Sequence, residues 1–246
     1  MARERLDQLV VAQGLAPTRT KAQALILAGE VFAGETRLDK PGTLIPTATE
    51  LRLKTTGPSY VSRGAFKLIA GLDAFAISPA GKLCLDVGAS TGGFTDVLLE
   101  RGASQVIAVD VGHGQLDWRL RNDPRVMVLE RTNARHLTAE MLPGAPEIIV
   151  CDASFIGLRT VLTAALGLAA SGAELVALIK PQFEAGPSAV GKGGVVRDPA
   201  VHDAVCAAVQ DWLETSMVWT VLGITASPIL GPKGNREFLI GARKPR

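Results

Sequence analysis

The stretch LCLDVGASTGGFTDVLLERG, residues 83–102, constrains the fold more than any other. A short apolar run ends in an acid and a cluster of glycines, then passes into helical spacing. A buried strand turning into a helix over glycines is the opening unit of a parallel sheet covered by helices on both faces. The rest of the chain repeats that unit. KLCLDVG, QVIAVDV, RVMVLE, EIIVCDA and ELVALIK read as strands, with helical stretches between them. Two more strands, WTVLGITASPI and EFLIGARK, follow the helix DPAVHDAVCAAVQDWLETS and are separated only by LGPKGNR. A parallel pair needs a crossover of about a dozen residues or more, so these two run antiparallel. The expectation is an α/β domain with a seven-stranded, mostly parallel sheet and an antiparallel last strand. Ligands of such sheets bind at the carboxyl ends of the strands.

The 246 residues, 47% of them hydrophobic, suffice for one large domain and a small one. No apolar run is long enough to cross a bilayer, and the charged start MARERLDQLV differs from a signal peptide. A cytoplasmic protein is expected. Cys84, Cys151 and Cys206 are odd in number and form no C-x-x-C pair, which reads as buried thiols with neither disulfide nor zinc. No metal site is expected.

Residues 1–58 have their own pattern. Leu6, Leu9 and Val10 recur at helical spacing up to Gly14, and a second helix runs from an N-cap at Thr18 through Ala22, Leu25 and Ile26 to Gly29. EVFAGE and TELRLKT read as short strands, so this segment is a small α+β domain. It carries eight Lys and Arg against six Asp and Glu. Arg19 and Lys21 fall in the first turn of the second helix, where the backbone dipole disfavours cations and an anionic partner would offset the cost. With Arg3 and Arg5, they are the candidate RNA contacts here. RLDQLV, TRTKAQALILAGEVFAGE and ELRLK resemble the small RNA-binding module of a ribosomal small-subunit protein and of pseudouridine synthases. TTGPSY, residues 55–60, reads as the joint to a second domain at 59–246.

The glycine turn is not a dinucleotide fingerprint, because the middle position of G-x-G-x-x-G falls on Ser90. Asp86, Gly88, Ser90 and Gly92 instead fit D-x-G-x-(G/S)-x-G, which resembles the S-adenosylmethionine loop of class I, Rossmann-like methyltransferases. The glycines allow close approach to a ligand, and a helix beginning near Gly93 can receive its carboxylate. Asp110, at the end of the next strand, is placed to accept two ribose hydroxyls. Asn133, after the third strand, is a candidate for the adenine edge.

Asp152 in VCDASF and Lys180 in ALIKPQFE each end a buried-looking strand, where a charge is costly unless paired or used. Glu237 opens the antiparallel strand at the same sheet edge. Lys67, in SRGAFKLIAGL, lies on a helix whose placement the sequence leaves open. In chain order, Lys67, Asp152, Lys180 and Glu237 resemble the Lys-Asp-Lys-Glu tetrad of FtsJ-like ribose 2′-O-methyltransferases. The surrounding SRGAFKL, DVGASTGGFTD, CDASFI, LIKPQFEAG, GKGGVVRD and GPKGNREF are similar to the TlyA family, some of whose members are labelled haemolysins. That resemblance implies S-adenosylmethionine-dependent 2′-O-methylation of cytidine in ribosomal RNA, on one or both subunits. It implies that Lys180 takes or orients the hydroxyl proton while Asp152 and Glu237 hold the two lysines. The loop EAGPSAVGKGGVVRD reads as an irregular lip, with Lys192 and Arg197 as candidate phosphate contacts.

Three other readings remain at this stage. A relative methylating an amino group would need an N/D-P-P-Y/F-type stretch after the fourth strand, where DASF stands, and one methylating carbon through a cysteine would need an accessible thiol, whereas Cys151 is expected to point away from Asp152. A non-enzymatic RNA-binding protein would lack the tetrad. A membrane-active haemolysin would need an amphipathic or spanning segment.

Overall fold

A computed structural model describes residues 3–34, 36–53, 60–191 and 193–246. The chain divides into two compact units, Met1–Ser59 and Tyr60–Arg246. The expected boundary after residue 58, and the stretch 55–59 of the expected joint, lie outside the described residues.

The first unit contains β1 (Arg3–Arg5), α1 (Leu6–Ala12), α2 (Arg19–Leu27), β2 (Val31–Ala33), β3 (Thr36–Leu38), β4 (Leu44–Pro46) and β5 (Leu51–Leu53). The second helix begins, and both helices end, as their sequence indicates. The Thr18 hydroxyl accepts from the Lys21 amide at 3.2 Å, and Gly14 and Gly29 take φ of +72° and +71° just past the helix ends. Leu6, Leu9, Val10, Ala22, Ile26, Val31, Ile45 and Leu51 close a separate core. Leu25, expected in the buried stripe, is only half-buried. The sequence reading did not find β1, β3 or β4. Each has three residues, too few for alternation to register, and β1 exists only through antiparallel pairing with β4 some 40 residues away.

The second unit contains α3 (Ala65–Ala74), β6 (Leu83–Val87), α4 (Gly93–Glu100), β7 (Gln105–Val109), α5 (Trp118–Arg121), β8 (Val126–Leu129), β9 (Ile148–Cys151), α6 (Leu158–Leu168), β10 (Glu174–Ile179), α7 (Pro181–Glu184), α8 (Pro199–Asp211), β11 (Thr220–Ala226) and β12 (Phe238–Arg243). The seven strands lie in the order β11-β12-β10-β9-β6-β7-β8. β12 pairs antiparallel with both neighbours, and the remaining pairs are parallel. The expected seven-stranded sheet with its antiparallel last strand is present. Its two faces carry separate cores: Leu85, Ile107, Ile149, Leu175 and Ile179 pack under α6 and α8, and Cys84, Val106, Val150, Val176 and Leu178 pack under α3 and α4.

The expected irregular lip has more order than its glycines suggest. It holds a 3₁₀ turn at Pro187–Ala189 and an isolated antiparallel bridge between Gly191 and Val195. Cys84 and Cys151 are buried as expected, while Cys206 is only half-buried. Among the described residues no helix is long and apolar enough to cross a membrane.

Candidate active site

Strand alternation decides which face each charged residue serves. Val150 and Leu178 point into the layer under α3 and α4, so Asp152 and Lys180, two residues further along, emerge on that face. Leu239 lies in the same layer, so Glu237, just before β12, emerges there too. Cys151 faces the other layer, and burial pushes its thiol up to about 12. That excludes it as an accessible nucleophile.

Lys67 on α3 completes the cluster. Its ammonium donates to Glu237 Oε2 at 2.6 Å and lies 3.7 Å from Asp152 Oδ2. Lys180 Nζ is 2.6 Å from Asp152 Oδ1 and donates at 3.0 Å to the Asp152 carbonyl and at 3.0 Å to Ser154 Oγ. Gln182 donates to Glu237 Oε1 at 3.2 Å. The four charges alternate in sign, Lys180, Asp152, Lys67, Glu237, and sum to zero. Lys67, Lys180 and Glu237 are 7%, 5% and 2% exposed, so each would be costly without the others. Lys67 could not be placed from sequence because a helix outside the strand pattern gives no register. α3 sits where it does because Gly71 lets it close onto Val176 and Leu239.

Lys67, Asp152 and Lys180 line a cavity of about 560 Å³ bounded by Ser62, Arg63, Gly64, the glycine turn and the Ile229–Lys233 loop, while Glu237 lies behind Lys67 and does not border it. A second cavity of about 460 Å³ holds Asp110, Asn133, Gln115 and the apolar walls Val109, Val111, Ala134, Phe155 and Ile156. Gly88, Ser90, Asp152 and Ser154 line both. The catalytic candidates and the nucleoside-binding candidates therefore occupy adjoining clefts.

The glycine turn is built for this closeness. Gly88 has φ of +82°, and a Cβ there would press on the backbone of Ala153 at 2.9 Å. Gly92 has φ of +99° and leads directly into α4 at Gly93, whose amide, with that of Phe94, has no hydrogen-bond partner among the described residues. Asp110 accepts from the Ser90 amide at 2.8 Å and the Gly112 amide at 2.7 Å, one bond per oxygen. Each oxygen retains a further lone pair for a ribose hydroxyl. Asn133 caps the 3₁₀ turn Ala134–His136 by accepting from the Arg135 amide at 3.1 Å, which leaves its side-chain NH₂ free.

Asp86 lies beneath the turn, bordering neither cavity, fully buried, accepting from Thr95 Oγ1 at 2.7 Å with its other oxygen unpartnered. Burial raises its carboxyl to about 7, with the nearby Asp152 charge adding to the rise and the Thr95 bond opposing it.

In the first unit, Arg5 and Arg19 both donate to the fully buried Asp7, at 3.1 Å and 2.9 Å, with Gln23 at 2.8 Å. These bonds hold the Asp7 carboxyl well below the usual range. The anion facing Arg19 is thus supplied within the unit, and about half of its side chain remains exposed. Arg3 and Lys21 are exposed, as is Arg197 in the second unit. Lys192 lies outside the described residues. The sequence reading missed Ser62, Ser154 and Gln182, polar residues of common types that become notable only through their contacts.

Residues 60–244 match the FtsJ-like methyltransferase family and residues 4–50 the S4 domain. The 16S/23S rRNA (cytidine-2′-O)-methyltransferase TlyA of Mycobacterium tuberculosis is 50% identical over 242 residues, 98% of this chain and 90% of that protein. Hemolysin A of Brachyspira hyodysenteriae is 40% identical, covering 96% of this chain and 98% of its own. A solved Streptococcus thermophilus protein proposed to be a hemolysin superposes with a TM-score of 0.75 at 42% identity, covering all of this chain and 90% of that one. The chain belongs to the TlyA family of FtsJ-like methyltransferases.

Proposed function

We propose that the protein transfers a methyl group from S-adenosylmethionine to the 2′-hydroxyl of a cytidine ribose in ribosomal RNA. The observation that carries this reading is the neutral Lys180-Asp152-Lys67-Glu237 array beside the glycine turn, in a chain half identical to an enzyme named for that reaction. The residues present suit the cofactor. Asp110 can accept the ribose hydroxyls, Asn133 can meet the adenine edge between apolar walls, and the Gly93 and Phe94 amides at the start of α4 can receive a carboxylate. Gly88, Ser90 and Gly92 shape the turn between these points, and Asp86 supports it from below through Thr95.

S-adenosylmethionine supplies a methyl carbon on a positively charged sulfur. The chain's own part is to hold the ribose oxygen in line and manage its proton. Lys180 Nζ takes or orients that proton, held by Asp152 and Ser154. Lys67 balances Asp152 and Glu237, and Gln182 fixes Glu237, so no buried charge is left alone while the lysine acts. Arg3, Arg5, Arg19 and Lys21 of the first unit, and Lys192 and Arg197 of the second, contribute phosphate contacts.

Lys180→Met tests the assignment. It keeps most of the stem while removing the nitrogen, so RNA and cofactor binding persist and the single-turnover methyl-transfer rate falls by roughly 10² to 10⁴. A wild-type rate in that variant would exclude Lys180 from the chemistry. Mapping of 2′-O-methyl groups on ribosomal RNA after incubation with the protein identifies the nucleotide.

A further inference from the structure

Beside the tetrad cavity lies a separate cleft of about 370 Å³, lined by Val195, Val196, Arg197, Pro199, His202, Lys233, Gly234 and Arg236. We infer that Arg197, Lys233 and Arg236 bind an RNA phosphodiester close to the nucleotide being methylated, the rest of the cleft serving as their frame. The inference rests on the functional reading above and adds to it where the strand leaves the site.

Three observations carry it. First, none of the three cations donates to an acceptor or pairs with an acid among the described residues, whereas Lys82, Arg101, Arg121, Arg125 and Arg243 all have carboxylate partners. Asp198, the nearest acid in sequence to Arg197, is occupied in capping α8, where it accepts from the Ala200 amide at 2.9 Å. Second, the frame is built. Asn235, 3% exposed, accepts from the Val196 amide at 3.1 Å and donates to the carbonyls of Gly194 at 3.0 Å and Pro232 at 3.2 Å, tying together the two loops that bear the cations. His202, also buried, meets the Val196 carbonyl at 3.0 Å and packs against Phe238. Third, Lys233 lines both this cleft and the tetrad cavity, so a ligand in the cleft adjoins the reacting ribose. Exposed cations without partners, carried on two tied loops beside a site for a ribose, match the chemistry of a phosphodiester.

The test compares wild-type protein with Arg197→Gln/Arg236→Gln in binding to purified ribosomal subunits across salt concentrations. Both guanidinium groups are exposed and unpaired, so the variant folds, which its unchanged affinity for S-adenosylmethionine verifies. The expected result is affinity lowered about tenfold and a salt slope reduced by about 1.4, at about 0.7 for each single-strand phosphate no longer neutralised. Adding Lys233→Gln lowers both further. A wild-type salt slope and affinity in the double variant would overturn the inference. Failure of the wild-type protein to methylate RNA would instead overturn the functional reading, so the two results are separable.

Discussion

At the scale of single residues, burial makes each charge costly and partners decide whether that cost is met. Asp86 is the exception, with one oxygen bonded by Thr95 and the other by nothing. Its carboxyl, raised to about 7, keeps its proton in the folded state over a range in which the unfolded chain has lost it. The folded state therefore binds the extra proton between about pH 4 and 7, and stability falls as pH rises through that window. Asp86→Asn keeps an acceptor for Thr95 and removes the titration. Denaturation at pH 4.5 and pH 8 is expected to show the variant gaining on the wild type by about 3 kcal/mol, from roughly 2.5 pH units of the window at 1.36 each. Parallel pH profiles for the two proteins would refute the assignment. Asp7 is the opposite case, a buried carboxylate with three donors. Substituting Arg19 therefore removes a structural bond as well as a candidate RNA contact, and any RNA-binding assay on it needs a melting curve beside it.

At the scale of elements, the glycine turn shows how a loop is fixed by its neighbours. Gly92 has a left-handed φ, and a Cβ there would overlap Leu116 and Leu120, which close the layer under α4 and α5. Gly92→Ala is expected to cost about 2–5 kcal/mol, from left-handed backbone at 1–2 and overpacking at 1–3. It should also weaken S-adenosylmethionine binding, since the turn aims the amides of α4. Thermal melts and calorimetry would check both, and wild-type stability would mean the turn tolerates a side chain.

At the scale of the molecule, each unit closes a core of its own, Leu6 to Leu51 in the first and the two sheet faces in the second. Residues 60–246 alone are therefore expected to fold and to bind S-adenosylmethionine as the full chain does. If the S4 unit supplies RNA contacts, the truncated protein loses tenfold or more in affinity for ribosomal subunits, measured at fixed salt. Equal affinity would leave the first unit without a part in recognition.

The sequence by itself determined the sheet, its antiparallel strand and the edge at which Asp110, Asp152, Lys180 and Glu237 gather. Those follow from alternation and loop length, which are local. The tertiary structure alone decided what α3, Ser154, Gln182 and Asp7 do. Lys67 meets Glu237 across 170 residues, and Arg19 finds Asp7 only once two helices pack. Such pairings depend on which side of a helix faces its neighbour, and a periodic pattern of apolar residues does not specify which polar groups meet there.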